Sequence, residues 1–96
     1  SESNFTVAGS TTHQQEAIGF SDTGLRAVYI KTDQDLTLKT NSSGSPDDTF
    51  TLKAGIPFVW VYQSGITNPF SAAVTTTYWT NAGSTTANVY LRRVVA

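Results

Sequence analysis

The feature that most constrains the fold is a two-residue alternation of apolar and polar side chains. It is clearest between Gly24 and Tyr62, where short β-patterned runs follow one another with turn residues between them. In Asp35 to Thr40, Leu36 and Leu38 fall on one face and polar side chains on the other, the pattern of a half-buried antiparallel strand. No segment of 10 or more residues keeps an apolar period of 3.6. The sequence therefore predicts an all-β chain.

The spacing of strands and turns predicts one sandwich. The 96 residues suffice for a single domain with a real core. The predicted strands are Glu16 to Phe20, Leu25 to Thr32, Asp35 to Thr40, Thr49 to Lys53, Pro57 to Tyr62, Ala72 to Thr80 and Thr86 to Val95. We expect a single-domain antiparallel β-sandwich, jelly-roll or Greek-key like, over residues 16–96, preceded by a flexible polar N-terminal arm over residues 1–15.

One predicted strand differs from the others. Pro57 to Tyr62 is apolar on both faces, so both faces need cover. Either the strand lies in the centre of the sandwich under a loop or the arm, or its outer face meets another subunit.

Composition disfavours several classes of partner. The formal charge is −1 and the basic residues form no cluster beyond Arg92-Arg93, so nucleic acid is not an expected partner. No apolar run approaches the roughly 20 residues of a membrane helix, and we expect no membrane partner. Cysteine is absent, which excludes disulfides and thiolate chemistry. A chain that starts at Ser1 is what removal of an initiator methionine would leave, so we expect synthesis in the cytosol.

The titratable residues give no pattern typical of an active site. His13 is the only histidine and has no nucleophile near it in sequence. The Asp33/Asp35 and Asp47/Asp48 pairs offer oxygen ligands for calcium, but neither has EF-hand spacing, and turn formation explains both. A carboxylate pair for glycoside hydrolysis is a further alternative that no spacing singles out. We expect no catalytic residue, no cofactor and no metal.

The aromatic residues allow two interpretations. Core packing is one, since a small sandwich fills its middle with large rings. The other is that some of Tyr62, Tyr78 and Trp79 line a sugar platform or a subunit interface. Tyr78 and Trp79 are adjacent in a strand, so their side chains point to opposite faces and at least one ring lies away from the main core.

Three segments carry a resemblance to a known class. Val28-Tyr29-Ile30 leads into DLTLKTNSS at residues 35–43, TFTLKAGIPFVW follows at residues 49–60, and NVYLRRV at residues 88–94 is similar in style. In its composition and in the order of these segments, the chain resembles small, cysteine-free, Thr/Ser-rich virion proteins of tailed bacteriophages. Some of those proteins are capsid decoration or cement proteins. The likeness covers about three quarters of the chain and leaves out residues 1–23.

The resemblance implies a function and a set of contacts. A cement protein binds at junctions of major capsid subunits on the capsid surface, usually as a symmetric oligomer, here a trimer or a dimer. The polar arm would order on contact with the major capsid protein. The expected contact residues are Phe5, Val7, Tyr62, Trp79, Arg92 and Arg93. Two alternatives stay open: a carbohydrate-binding or receptor-binding module such as a tail-fibre tip, and a tail-tube or head-completion component.

Overall fold

The computed structural model describes residues 2–96 and contains eight strands. They are β1 (Glu2–Val7), β2 (Thr11–Glu16), β3 (Leu25–Thr32), β4 (Leu36–Thr40), β5 (Thr49–Leu52), β6 (Phe58–Val61), β7 (Thr77–Asn81) and β8 (Ala87–Val95). They form two four-stranded sheets, sheet A in the order β1-β8-β3-β6 and sheet B in the order β2-β7-β4-β5. The described residues include no helix that would cross a bilayer.

The strand pairing defines a jelly roll. The first strand pairs with the eighth, the second with the seventh, the third with the sixth and the fourth with the fifth, all antiparallel. This is the order produced when one long hairpin rolls up so that its strand pairs alternate between two sheets. The predicted all-β, single-domain antiparallel sandwich is confirmed.

The core lies between the two sheets and centres on Trp79, which has no exposed surface. Its indole N–H donates to Thr77 Oγ1 at 2.8 Å, so the ring is buried without an unpaired polar atom. Phe5 packs edge-on against it, with ring centroids 5.0 Å apart. A second aromatic group fills one end of the sandwich and consists of Phe20, Phe50, Phe58 and Phe70.

The predicted flexible arm is wrong for residues 2–15, while Ser1 lies outside the described residues. β1 pairs with β8 along its whole length, from Glu2 opposite Arg92 to Val7 opposite Ala87. β2 pairs with β7 in the other sheet. These strands are polar because edge strands expose most of their side chains, and backbone hydrogen bonds do not depend on side-chain polarity. The domain therefore includes residues 2–15.

Two predicted strand boundaries also need correction. The piece predicted over Glu16 to Phe20 is not a strand, since β2 ends at Glu16 and Phe20 forms only an isolated bridge with Val74. The strand predicted from Ala72 starts at Thr77. The Asn41 side chain replaces ladder pairing there, because its amide accepts from the Thr75 N–H and donates to the Ala73 carbonyl, both at 2.8 Å.

The strand that is apolar on both faces lies at an edge of sheet A. In β6, Trp60 is buried towards sheet B, whereas Val59 and Val61 stay about half exposed on the outer face. The alternative that places this strand in the centre of the sandwich with a loop or the arm over its outer face is wrong, because that face stays exposed. Pro57 directly precedes β6, and proline is tolerated at the start of an edge strand because its missing N–H costs no ladder bond.

Candidate partner-binding face

The exposed large apolar side chains are concentrated in one region of the molecule. They are Ile56, Val59, Val61, Tyr62, Ile66, Tyr90, Val94 and Val95. All of them lie on β6 and its flanking loops or on β8. Contiguous exposed apolar surface is unusual on a soluble domain and typically marks an interaction site.

The registers of β3, β6 and β8 bring these side chains together. Tyr29 of β3 lies opposite Arg92 of β8 on one side and Val59 of β6 on the other. One position along, Ala27 lies between Val94 and Val61 in the same way. Because alternate residues of a strand share a face, the outward residues form one surface. We call this surface the docking face: Ala27, Tyr29, Lys31, Val59, Val61, Tyr90, Arg92 and Val94.

The aromatic part of the docking face is held in place by several contacts. The Tyr29 and Tyr90 rings meet edge to face, with centroids 6.0 Å apart. The Arg92 guanidinium carbon lies 3.3 Å from the Tyr90 ring centroid, a cation–π contact. Arg92 also forms a 2.9 Å ion pair with Glu2 and donates to Asn4 Oδ1 at 3.1 Å. These contacts restrict the Arg92 rotamer before any partner binds.

A shallow open depression lies in the middle of this aromatic group. It is lined by Tyr29, Lys31, Tyr90 and Arg92. The Lys31 side chain makes no hydrogen bond or ion pair with residues 2–96, so its ammonium is available to an anionic group. The depression thus combines two ring surfaces with two cations.

Charge is distributed unequally between the two sheets. Four of the six basic residues lie on β3 or β8 of sheet A: Arg26, Lys31, Arg92 and Arg93. Within the strands of sheet A the only acidic residue is Glu2, at the far edge from β6. Of the four basic residues, Lys31 and Arg92 belong to the docking face, which contains no acidic residue, so a complementary partner presents apolar and acidic groups.

The six residues predicted from the sequence as partner contacts do not lie together in the structure. Val7 and Trp79 are wrong as contacts, because both are fully buried in the core. Phe5 is half-buried against Trp79. Arg92 lies within the docking face, and Tyr62 lies at its border with the Arg26 guanidinium 4.2 Å from its ring centroid.

Arg93 and Tyr78 lie outside the docking face. Arg93 lies on the opposite side of β8 from Arg92 and donates to Ser3 Oγ at 3.4 Å. The opposite orientation of Tyr78 and Trp79 is confirmed, since Tyr78 is half-buried on the outer face of sheet B and Trp79 is inside.

Of the eight residues of the docking face, the contact prediction includes only Arg92 and misses the other seven, among them Tyr29, Lys31 and Tyr90. The alternation of apolar and polar residues along β3 and β8 indicates that these three side chains point outward. Val28 and Ile30 point inward in β3, so their neighbours must point outward. The sequence does not show that β3 and β8 are adjacent, and only that adjacency joins the outward residues of the two strands into one surface.

The acidic residues considered as ligands form turns and caps. The Asn88 side-chain and backbone amides both donate to Asp33 at 2.7 Å and lower the pKa of its carboxyl. The Ala54 backbone N–H at 2.9 Å, and then Lys53 at 3.1 Å, lower the pKa of Asp35. Over residues 2–96, no group of three or more His, Asp or Glu side chains is placed to hold a metal ion.

His13 lies on β2 rather than in an arm. Its ring Nε2 is 3.4 Å from the Lys39 ammonium, and its backbone N–H donates to Thr80 Oγ1 at 3.1 Å. Its φ of 57° lies at the register shift between Thr11 and Gln14. These contacts assign it to the bulge of an edge strand.

Comparison with known proteins adds no identification. No protein-family model matches the chain, and neither the curated proteins nor the solved structures contain a significant match.

Proposed function

We propose that this protein is a bacteriophage capsid decoration protein that binds the major capsid protein through the docking face and stabilises the head. The observation that carries the proposal is the concentration of exposed apolar side chains on one face of a rigid jelly roll. The resemblance of the sequence to small virion proteins supports the same function.

The composition of the docking face suits a permanent protein partner. Val59, Val61 and Val94 provide apolar area, and the two tyrosines provide large rings with little conformational freedom to lose on binding. Arg92 is already oriented by Glu2 and Tyr90, which reduces the entropic cost of pairing with a capsid carboxylate. The proposed location is the outer surface of the virion.

The test is reconstitution on capsids that lack this chain, from the phage that encodes it. Purified protein is added, the particles are re-isolated, and mass spectrometry gives the number of copies per major capsid subunit. We expect a near-stoichiometric ratio and a higher melting temperature of the particle. A few copies per particle would move the protein to the tail, and no binding would overturn the proposal.

Two matched variants test the surface. Val94→Lys places a charge in the docking face at a side chain that is 58% exposed, so the fold should persist while binding falls at least about tenfold. Thr51→Lys places the same charge on the exposed edge of sheet B and should bind like the wild type. Equal binding by both variants would show that another surface contacts the capsid.

A second candidate function rests on the depression between Tyr29 and Tyr90. Aromatic rings beside Lys31 and Arg92 suit a glycan that carries a carboxylate or a sulfate. Both tryptophans are buried, so amide chemical shifts are a better readout than tryptophan fluorescence. Shifts confined to β3 and β8 on titration with an acidic oligosaccharide, absent with a neutral one, would favour this function.

A further inference from the structure

The outer edge of β6 carries unpaired backbone groups. Directly after this strand, the Tyr62 N–H donates to the Arg26 carbonyl of β3 at 2.8 Å. Hydrogen-bonded positions alternate along an antiparallel ladder, so Trp60 also directs its backbone groups to β3. Val59 and Val61 lie between these positions, and their N–H and C=O groups point away from β3. The Val61 carbonyl accepts a 3.2 Å hydrogen bond from the Ser64 N–H and has a second lone pair for a partner strand. The edge of sheet A therefore ends in two residues that can pair with another strand.

The other three sheet edges are protected against such pairing. On β1, the Thr6 carbonyl accepts a 2.8 Å hydrogen bond from the Gln14 side chain, and Glu2 adds a charge. On β2, the register shift before Gln14 interrupts the strand. On β5, the strand directly follows the acidic Asp48. Charges, bulges and capped groups are the usual means by which proteins block edge-to-edge association. β6 has no charge and no bulge, and its one capped group, the Val61 carbonyl, can accept a second hydrogen bond.

We propose that β6 pairs antiparallel with β6 of a second copy of this chain, so that two sheets A join into one continuous sheet. The two-fold axis passes beside Trp60. Val59 then lies opposite Val61 of the second copy, and Val61 lies opposite Val59 of the second copy. Each of these pairs exchanges both N–H···O bonds, so the outward groups of both residues are satisfied.

Side chains and charges fit a second copy. Val59 is 53% exposed and Val61 49%, and the pairing places the valines of both copies side by side on one face. β6 has no charged residue. At about 4.8 Å per strand, the β3 strands of the two copies lie about 14 Å apart, so Lys31 and its equivalent are separated by at least that distance, beyond the Debye length of about 8 Å at physiological ionic strength. Stacking two docking faces would instead bring Lys31 and Arg92 against the same cations.

The pairing closes at two copies. Pro57 before the strand has no N–H to donate, and Gln63 after it turns the chain out of extended geometry with φ 60°. The ladder is therefore limited to the short strand itself. Two-fold pairing uses the β6 edge of both copies and leaves no further β6 edge for a filament. The inference does not depend on a capsid partner.

Sedimentation equilibrium of the purified chain tests the pairing. We expect the apparent mass to rise with concentration from 10.3 kDa towards twice that value. Val61→Pro removes one outward N–H but no hydrogen bond to β3, so it should stay folded and shift the dissociation constant by at least about tenfold. Val94→Lys changes the docking face away from the β6 edge and should dimerise like the wild type.

Thr51→Pro is the matched control. The Thr40 N–H donates to the Asp48 carbonyl at 3.1 Å, so by the same alternation Thr51 directs its N–H away from β4, at the outer edge of β5. This variant should dimerise normally. A wild-type chain that stays monomeric up to about 1 mM would overturn the proposal, as would a trimer. A dimer that survives Val61→Pro but is lost in Val94→Lys would assign association to the docking face instead.

Discussion

Gly9 lies where the turn between β1 and β2 contacts the turn between β7 and β8. A Cβ atom on Gly9 would lie 2.4 Å from the backbone carbonyl carbon and oxygen of Ser84. Nearby, the Ser10 N–H donates to the Gly83 carbonyl at 2.7 Å, and the Asn81 amide donates to the Val7 carbonyl at 3.1 Å. The two turns are thus joined by backbone contacts that leave no room for a side chain.

We predict that Gly9→Ala destabilises the fold by about 1–3 kcal/mol, because the backbone of one turn must move. Gly44→Ala is the control, since a Cβ at Gly44 meets no atom within 4 Å. Urea unfolding followed by tryptophan fluorescence measures both variants. Equal free energies of unfolding for the two would contradict the contact between the turns.

Hydrogen bonds to the Asp33 carboxylate make the stability of the fold depend on pH. Hydrogen bonds from the side chain and backbone of Asn88 lower the folded-state pKa of Asp33 below the ordinary value of 3.8. A depressed folded pKa contributes stability above the unfolded pKa, and that stability is lost as the pH falls through the folded pKa. We expect the stability of the wild type to fall below about pH 4 and that of Asp33→Asn to fall less.

The measurement is the urea midpoint of both chains between pH 7 and pH 2. Asp22→Asn removes an aspartate whose carboxylate makes no hydrogen bond with residues 2–96, so its pH profile should follow the wild type. Identical acid profiles for Asp33→Asn and the wild type would remove Asp33 from the pH dependence.

At the scale of elements, β1 is the clearest case of a polar segment with a structural role. It covers one edge of β8, which would otherwise be free, and it places Phe5 and Val7 against the core. Val7 has no exposed surface, and Phe5 contacts Trp79. A segment that reads as a polar arm is thus one of the strands that complete sheet A.

We predict that deleting residues 1–9 abolishes cooperative unfolding, because it exposes the edge of β8 and opens the core beside Trp79. Near-ultraviolet circular dichroism and thermal unfolding report the loss. A double variant of the outward-facing residues, Asn4→Thr with Thr6→Ser, keeps the inward side chains and should unfold like the wild type. A truncated chain with an intact cooperative transition would restore the interpretation as an arm.

At the scale of the whole molecule, the jelly roll pairs segments from opposite ends of the chain. β1 pairs with β8 and β2 with β7, so these contacts join residues that are far apart in the sequence. Such non-local pairing requires large loops to close before contacts form. Topology rather than local propensity should therefore limit the rate of folding.

We predict refolding in milliseconds to seconds, the range of all-β domains dominated by non-local pairs. Stopped-flow tryptophan fluorescence after urea dilution measures it, because the buried Trp60 and Trp79 report core formation. Refolding within microseconds would contradict the topology argument.

Much of the fold could be predicted from the sequence because alternation is a local property. Leu25 to Thr32 was predicted with the bounds that the structure has, β4, β5 and β8 differ by one residue at one end, and β6 differs by one residue at each end. The inward positions of these strands form most of the core. The strands that were missed are those whose side chains are mostly polar, where pairing depends on backbone groups alone.

Other features were decided only by the tertiary structure. Alternation shows that Tyr29 and Tyr90 point outward, but it does not show that β3 and β8 are neighbours, since 61 positions separate the two residues. Trp79 was predicted as a contact residue because the sequence of a single strand does not show which of its two faces is buried. The packing of the two sheets determines that the Trp79 face is buried. The sequence by itself determined the class of fold, since the two-residue alternation of side chains is a property of consecutive residues. Strand order, and with it the docking face and the free edge of β6, depends on long-range pairing that no local pattern encodes.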